Sequence, residues 1–335
     1  LVTAVEYLKD SHFTIRSNIE TRYSNLGISA TIPDFESYAF KLSTTEFCLT
    51  CFYVTVGQSG TILTSSTTTA WTSRTSGTTN TLNGITYGNG KFIAVGGSGT
   101  ILTSSDGITW TSRSSETTEG LSAITYRNNT FVAVGSSGTI LTSSDNGTTW
   151  TSRTSGTTIG LNDVEYGSDS FFVVGGHSSS GTGPILKSND GITWNQVHTC
   201  GKPVQSISYQ NSIYIATTWG DTIITSSDGS SWDNKSIDVS SCQECFRDIG
   251  RLESIAYGNS KYVIVGEYKS IVTSPDYTSW TKTSHEGAGS TNYKDIVYSD
   301  DKFVLVGFSG TILTSTDGTT WTSRTSGTSN HLYGV

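Results

Sequence analysis

An all-β fold, a seven-bladed β-propeller of four-stranded blades with an N-terminal extension, is predicted by three features of this 335-residue chain. Seven of its eight tryptophans, Trp71, Trp110, Trp150, Trp194, Trp232, Trp280 and Trp321, recur at intervals of 39, 40, 44, 38, 48 and 41 residues. That period fits one four-stranded blade and exceeds the roughly 34 residues of a helical-hairpin repeat. Most of these tryptophans close a Ser-x-Asp-Gly-x-Thr-Trp segment, and short apolar runs punctuated by Gly, Asn and Ser lie between successive copies. A ring of repeats is one continuous fold, so residues 38–335 are assigned to the propeller and residues 1–37 to a capping or strand-exchange extension.

The clearest blade starts at Leu82. Its first strand, 82–87, runs into Gly88-Asn89-Gly90, a hairpin signal between hydrophobic segments. The second strand, 91–96, carries Phe92, Ile93, Ala94 and Val95 without interruption, the pattern of a strand covered on both faces. The third strand spans 100–104, and after Ser105-Asp106-Gly107 the chain returns as an outer strand over 109–114. The same order restarts at Leu121, Leu161, Val204, Leu252 and Tyr293.

Blade one begins near Phe52 without an inner strand before it. Residues 331–335, His331-Leu332-Tyr333-Gly334-Val335, repeat the start of a first strand and are expected to close the ring there. Residues 38–47 align with the same slot, so one segment is spare. Self-association through residues 1–37 and 331–335 by strand exchange is therefore expected. Val2, Ala4, Phe13, Ile15, Ile19 and Ile28 add apolar material that the repeat does not use.

Charged residues make up 14% of the chain and the net charge is −8, which argues against nucleic acid or an anionic membrane as partner. No apolar run is long enough to span a bilayer. With no Met and Leu as first residue, the chain reads as an exported protein trimmed of its signal peptide, secreted or held at the cell surface. Asn128, Asn146 and Asn234 begin glycosylation sequons in turns or blade ends. Of five cysteines, Cys48 and Cys51 are expected to clamp the blade-one hairpin, and Cys200 to bond to Cys242 or Cys245.

The segment Ser143-Ser144-Asp145-Asn146-Gly147-Thr148-Thr149-Trp150 resembles the Asp-box, or BNR repeat, of sialidases and related propellers. Asp106, Asp190, Asp228, Asp276 and Asp317 hold the same place in their blades, whereas blade one has no Asp before Trp71. Physically, each carboxylate is expected to accept N–H bonds from its own turn while the Trp ring covers the adjacent blade, a structural staple with no catalytic part. A sialidase-like activity would further imply three converging arginines. Arg74, Arg113, Arg153 and Arg324 all follow Thr-Ser on outer strands and so decorate the perimeter. The blades are also similar to those of photosystem assembly factors, whose resemblance implies an Arg-rich partner patch that has no counterpart here.

His12, His177, His198, His285 and His331 lack metal-ligand spacing, and neither metal nor cofactor is expected. Asp163, Glu165, Glu253, Asp295 and Glu46 fall in or near first strands, where paired carboxylates would serve glycoside cleavage and where a solvated channel lining is the plainer role. The leading expectation is a secreted, non-enzymatic structural or adhesive protein that self-assembles, filaments included, with a glycosylated surface. A carbohydrate-binding propeller is the alternative, with Trp219, Tyr268 and Phe308 on blade-top loops stacking on sugars. A glycosidase and then an assembly chaperone follow.

Overall fold

The computed structural model describes residues 52–177, 181–220, 222–238, 250–284 and 291–335. The chain divides at Cys51/Phe52, and the unit described is Phe52–Val335. Glu46, Cys48, Cys51, Cys242, Cys245, the segment 38–47 and the boundary expected at residue 37 lie outside the described residues.

Among the described residues, twenty-eight strands form five four-stranded sheets and one eight-stranded sheet made of two such quartets, consistent with seven blades. In blade two the strands are Leu82–Gly88, Lys91–Gly96, Thr100–Ser104 and Thr111–Arg113, each antiparallel to the next. The outer strand is shorter than the six residues expected. Ile108 and Thr109 give their N–H groups to the Asp106 carboxylate at 2.8 Å, so they cannot also join the ladder. Second strands are sealed on both faces: Ile93, Ala94 and Val95 are fully buried, as are Val132, Ala133 and Val134 in blade three.

The turn before the outer strand is built the same way in blades two, three and four, whereas the indoles of Trp232 and Trp321 in blades five and seven have no hydrogen-bond partner. Asp145 Oδ1 accepts from the Thr148 and Thr149 N–H groups, Ser143 Oγ accepts from Gly147 N–H, and Trp150 Nε1 donates to Gly147 O. The backbone N–H of Thr149 is the chief cause that holds Asp145 down at about 2, and that of Thr193 does the same for Asp190. Blade one keeps the frame without the acid: Thr68 N–H still reaches Ser65 Oγ at 2.8 Å and Trp71 Nε1 reaches Thr68 O at 3.1 Å. From blade two onward each blade Trp packs with the core of the preceding blade. Trp150 packs with Ile93 and Val95 of blade two, Trp194 with Val132 and Val134 of blade three, and Trp280 with Ile215 and Ile223 of blade five. The apolar contact between blades is thus the same contact repeated.

Blade one is closed by Leu332–Gly334, which lies antiparallel to Tyr53–Gly57 with Val56 opposite Gly334 and Gly57 opposite Leu332. Leu332 is fully buried, Gln58 N–H donates to His331 O at 2.8 Å, and Thr55 Oγ1 donates to Gly334 O at 2.7 Å. Residues 331–335 therefore supply the inner strand of blade one, the slot in which their match to a first strand puts them. The inner strands pack side by side all the way round, Leu332–Gly334 touching the inner strands of both blade two and blade seven.

Cys200 ends the outer strand Asn195–Cys200 with its buried thiol free, and Cys242 and Cys245, the partners expected for it, lie outside the described residues. The outer strands of blades five and six, Asp233–Asp238 and Trp280–Ser284, pair in parallel through Ile237 with Trp280, which fuses their sheets.

Candidate functional site

Six inner strands share one irregularity just after their first residue. The register slips between Leu82 and Gly84, Leu121 and Ala123, Leu161 and Asp163, Val204 and Ser206, Leu252 and Ser254, and Tyr293 and Asp295. A bulge of this kind breaks strict alternation, so two successive residues turn towards the axis. The first of each pair, Asn83, Ser122, Asn162, Gln205, Glu253 and Lys294, joins Tyr333 of the closing strand in lining an axial cavity of about 410 Å³. Beneath them the second residues, Gly84, Ala123, Asp163, Ser206, Ser254 and Asp295, form its next layer. The mouth lies on the face that carries the turns between second and third strands; the Asp-box turns lie at the opposite ends of the same strands. A larger hollow of about 760 Å³ at the rim of blade two, with Arg113, Glu116 and Glu119 in its wall, lies among loops and the outer edge, away from the axis where the inner strands converge.

Two carboxyl groups in the lower layer tie blades together. Asp163 Oδ2 accepts from Ser206 Oγ at 2.7 Å and from Ile207 N–H at 3.0 Å, both in blade five, while Oδ1 accepts from Val164 N–H. Asp295 Oδ1 accepts from Ser254 Oγ of blade six at 2.7 Å and from Ile296 N–H, and Oδ2 accepts from Val335 N–H of the closing strand at 2.9 Å. Asp295 thus spans blades six, seven and one at the point where the ring closes. Burial raises both aspartates to about 6, against the pull of these donors. Glu165 lies deeper in blade four, and burial followed by the charge of Asp163 raises it to about 8.

At the mouth, Lys294 Nζ meets Glu253 Oε1 at 2.6 Å, with the two side chains only 16% and 12% exposed. Burial still leaves Glu253 above its ordinary value, outweighing the lysine. Lys294 also stands 5.2 Å from the Phe308 ring centroid, and Phe308 stacks on His331 at 4.1 Å, with Tyr333 edge-on. His331 Nδ1 accepts from Ser309 N–H, which leaves its Nε2 turned away from that bond. A similar pairing joins blades five and six, where the Arg251 guanidinium lies 4.3 Å above the Trp219 ring and 3.6 Å from Glu267.

Of the carboxylates expected along the channel, Asp163, Glu253 and Asp295 meet at this cavity, and Glu165 lies below it. Trp219, Tyr268 and Phe308 all occupy turns between second and third strands, in three consecutive blades. Trp219 and Phe308 are half-buried with one face taken by Arg251 and His331, whereas Tyr268 is 58% exposed. Asn83, Ser122, Asn162, Gln205, Lys294 and Tyr333 are lining residues that sequence reading missed. Their signal is the column after each blade's first aliphatic or aromatic residue, which differs in nearly every blade. Among the described residues, no group of three or more His, Cys, Asp or Glu side chains is placed to hold a metal ion. The four Thr-Ser-Arg arginines lie on the perimeter, where each Nε donates to a Thr of the third strand, as Arg74 does to Thr64 at 2.8 Å.

A family model described as the DUF6242 beta propeller domain matches residues 243–335. No curated protein matches the chain. Among solved structures, YCF48 from Cyanidioschyzon merolae is 19% identical with a TM-score of 0.55, over 72% of this chain and 84% of that one. YCF48 bound to D1 peptide is 16% identical with a TM-score of 0.62, over 78% and 86%. A catalytically inactive virginiamycin B lyase from Staphylococcus aureus with quinupristin is 11% identical with a TM-score of 0.61, over 73% and 84%. Strand order, the repeated blade contact and these likenesses together make the chain a β-propeller.

Proposed function

We propose that this propeller is a binding protein without catalytic activity, and that it takes a hydroxyl-rich, uncharged ligand, a carbohydrate, at the mouth of the axial cavity. The observation that carries the reading is the state of the charges there. Lys294 is matched by Glu253 at 2.6 Å, and both oxygens of Asp163 and of Asp295 are engaged by Ser and backbone donors. The cation at the mouth is already matched and offers nothing to an anionic ligand, and carboxyl groups that hold blades together are poorly free to shuttle protons. Asn83 gives its amide N–H to Leu121 O and Asn162 to Gly176 O and Val204 O, so the two present their side-chain oxygens, and with Ser122, Gln205 and Tyr333 they set neutral polar groups beside an aromatic ring, the mix that recognises sugar hydroxyls and a sugar face.

The structure titled YCF48 bound to D1 peptide supports peptide capture as a second reading, since that propeller shares this fold. Self-assembly as a secreted or surface protein has less behind it, because residues 331–335 close their own ring here and residues 1–37 lie outside the described residues. Glycosylation at Asn128 and Asn234 is compatible with their exposure.

The test is a binding screen with the full chain and with Gln205→Ala, whose amide lines the mouth without a role in holding blades together. Retention of neutral glycans by the wild type, weakened by the substitution while the melting temperature holds, supports the reading. Retention of peptides alone transfers the site to the second reading, and turnover of an aryl glycoside refutes the absence of catalysis.

A further inference from the structure

We infer that the ligand is a linear, uncharged oligosaccharide whose terminal unit enters the axial cavity and whose following units run outward over the turns of blades seven, six and five, with Tyr268 as the exposed contact along the way. The inference rests on the binding reading above and adds the shape and length of what is bound.

The first support is the position of the aromatic rings. In blades one, two and three the turn between second and third strands is Gln58–Gly60, Gly97–Gly99 and Ser136–Gly138, small and polar. In blades five, six and seven the corresponding turns carry Trp219, Tyr268 and Phe308. Phe308 touches His331 and lies within 6.1 Å of Tyr333, which itself lines the cavity, so the aromatic arc is continuous with the mouth at one end. A single sugar in the cavity would leave Trp219 and Tyr268 without a part; a chain uses them in sequence.

The second support is the backbone of blade six. The residue ending this turn is Gly60, Gly99, Gly138 or Gly310 in four sister blades, with φ between 67° and 72°. A Cβ there would stand 2.0–2.1 Å from a carbonyl oxygen of the following connection, such as Thr78 O or Thr117 O. Blade six instead holds Lys269 at φ 56°, directly after Tyr268 at φ 54°. Two bulky residues in the left-handed region are a strained arrangement, and its product is an aromatic ring that is 58% exposed. Packing does not require that ring, because Ser serves the same position in the sister blades.

The third support concerns charge. The cations that lie over Trp219 and Phe308 are matched by acids, Arg251 with Glu267 and Lys294 with Glu253. At these two rings the arc offers aromatic faces whose neighbouring charge is compensated, which suits a neutral chain better than an anionic one.

The experiment measures affinities of the full chain for neutral linear oligosaccharides from monosaccharide to octasaccharide, beside sialylated and sulfated glycans and a peptide library. It is repeated with Tyr268→Ser combined with Lys269→Gly, which installs the sister-blade turn. The expected result is affinity that rises with chain length. The double variant should lose about tenfold for the long chains, the loss of one aromatic contact. It should bind mono- and disaccharides as before and melt at the same or a higher temperature. If the shortest sugars bind as tightly as the longest, or the double variant binds long chains normally, the chain-shaped ligand is overturned while the cavity reading stands. If only anionic glycans or peptides are retained, or nothing is, both fall.

Discussion

Blades seven, one, two and three form one continuous arc of near copies, and blades four, five and six form the other. On the first arc every outer strand is the same three residues, Thr72–Arg74, Thr111–Arg113, Thr151–Arg153 and Thr322–Arg324. On the second they lengthen to Asn195–Cys200, Asp233–Asp238 and Trp280–Ser284, and two of them pair with each other. The first arc also repeats its connections: Ser76, Ser115, Ser155 and Ser326 each accept an N–H from the Thr two residues on. Where a blade only has to fit a copy of itself, the mould is kept. The second arc, with the seam beside it, carries the altered turns and most of the ionisable channel residues, so divergence within one chain points to the side of the ring with a task.

The contrast can be broken most forcefully at the seam. Asp295→Ala removes an acceptor from Ser254, Ile296 and Val335 at once, and should cost about 2–4 kcal/mol in urea unfolding, because buried donors are left unpaired. A loss under about 1 kcal/mol would mean that the ring does not depend on this clamp. Next is the arc of near copies. Gly99→Ala puts a Cβ 2.1 Å from Thr117 O at φ 67° and should destabilise by about 2–3 kcal/mol, whereas Gly77→Ala at φ 77° has nothing within 4 Å and should cost about 1 kcal/mol. Glu116 in the corresponding place of blade two, at φ 56°, already tolerates that smaller strain.

The pH profile separates the Asp-box turns from the channel. Backbone donors hold Asp145, Asp190 and Asp276 down at about 2, below the ordinary 3.8, so their stabilisation is complete above that ordinary value and is lost as the pH falls towards 2. Burial raises Asp163 and Asp295 to about 6 and Glu165 to about 8, so their contribution is greatest below the ordinary carboxylate range and is lost as the pH rises through 6 and 8. Melting temperature should therefore climb from pH 8 to about pH 5 and fall again below pH 4. Asp295→Asn should flatten the alkaline side; an unchanged slope would remove that residue from the account. The smallest effect concerns Asn128 and Asn234: if they are glycosylated in the native protein, enzymatic deglycosylation should shift its mass with little change in melting temperature.

Much of the architecture was legible because packing acts through residue types that repeat in sequence. Trp150 and its six counterparts, the apolar run at Phe92, and the closing match of Leu332 to Leu82 are all read at the same interval. The site was legible only in part. Asp163, Glu253 and Asp295 stand out as acids in strands, but Lys294 reads as an ordinary exposed lysine until its partner, a full blade earlier, is in place. Gln205 and Asn83 reach the axis because a bulge lets two neighbours point the same way, and no residue type announces it. The Phe308–His331 stack joins blade seven to the closing strand, a contact that depends on how the ring shuts.

The most direct test of the central claim is a crystal structure of the full chain grown with the best-retained neutral oligosaccharide. The account predicts density for a sugar unit in the axial cavity, hydrogen-bonded among Asn83, Gln205 and Tyr333, with the chain leaving towards Phe308. Density confined to the outer rim, or a cavity filled only by water while the sugar binds elsewhere, would contradict it.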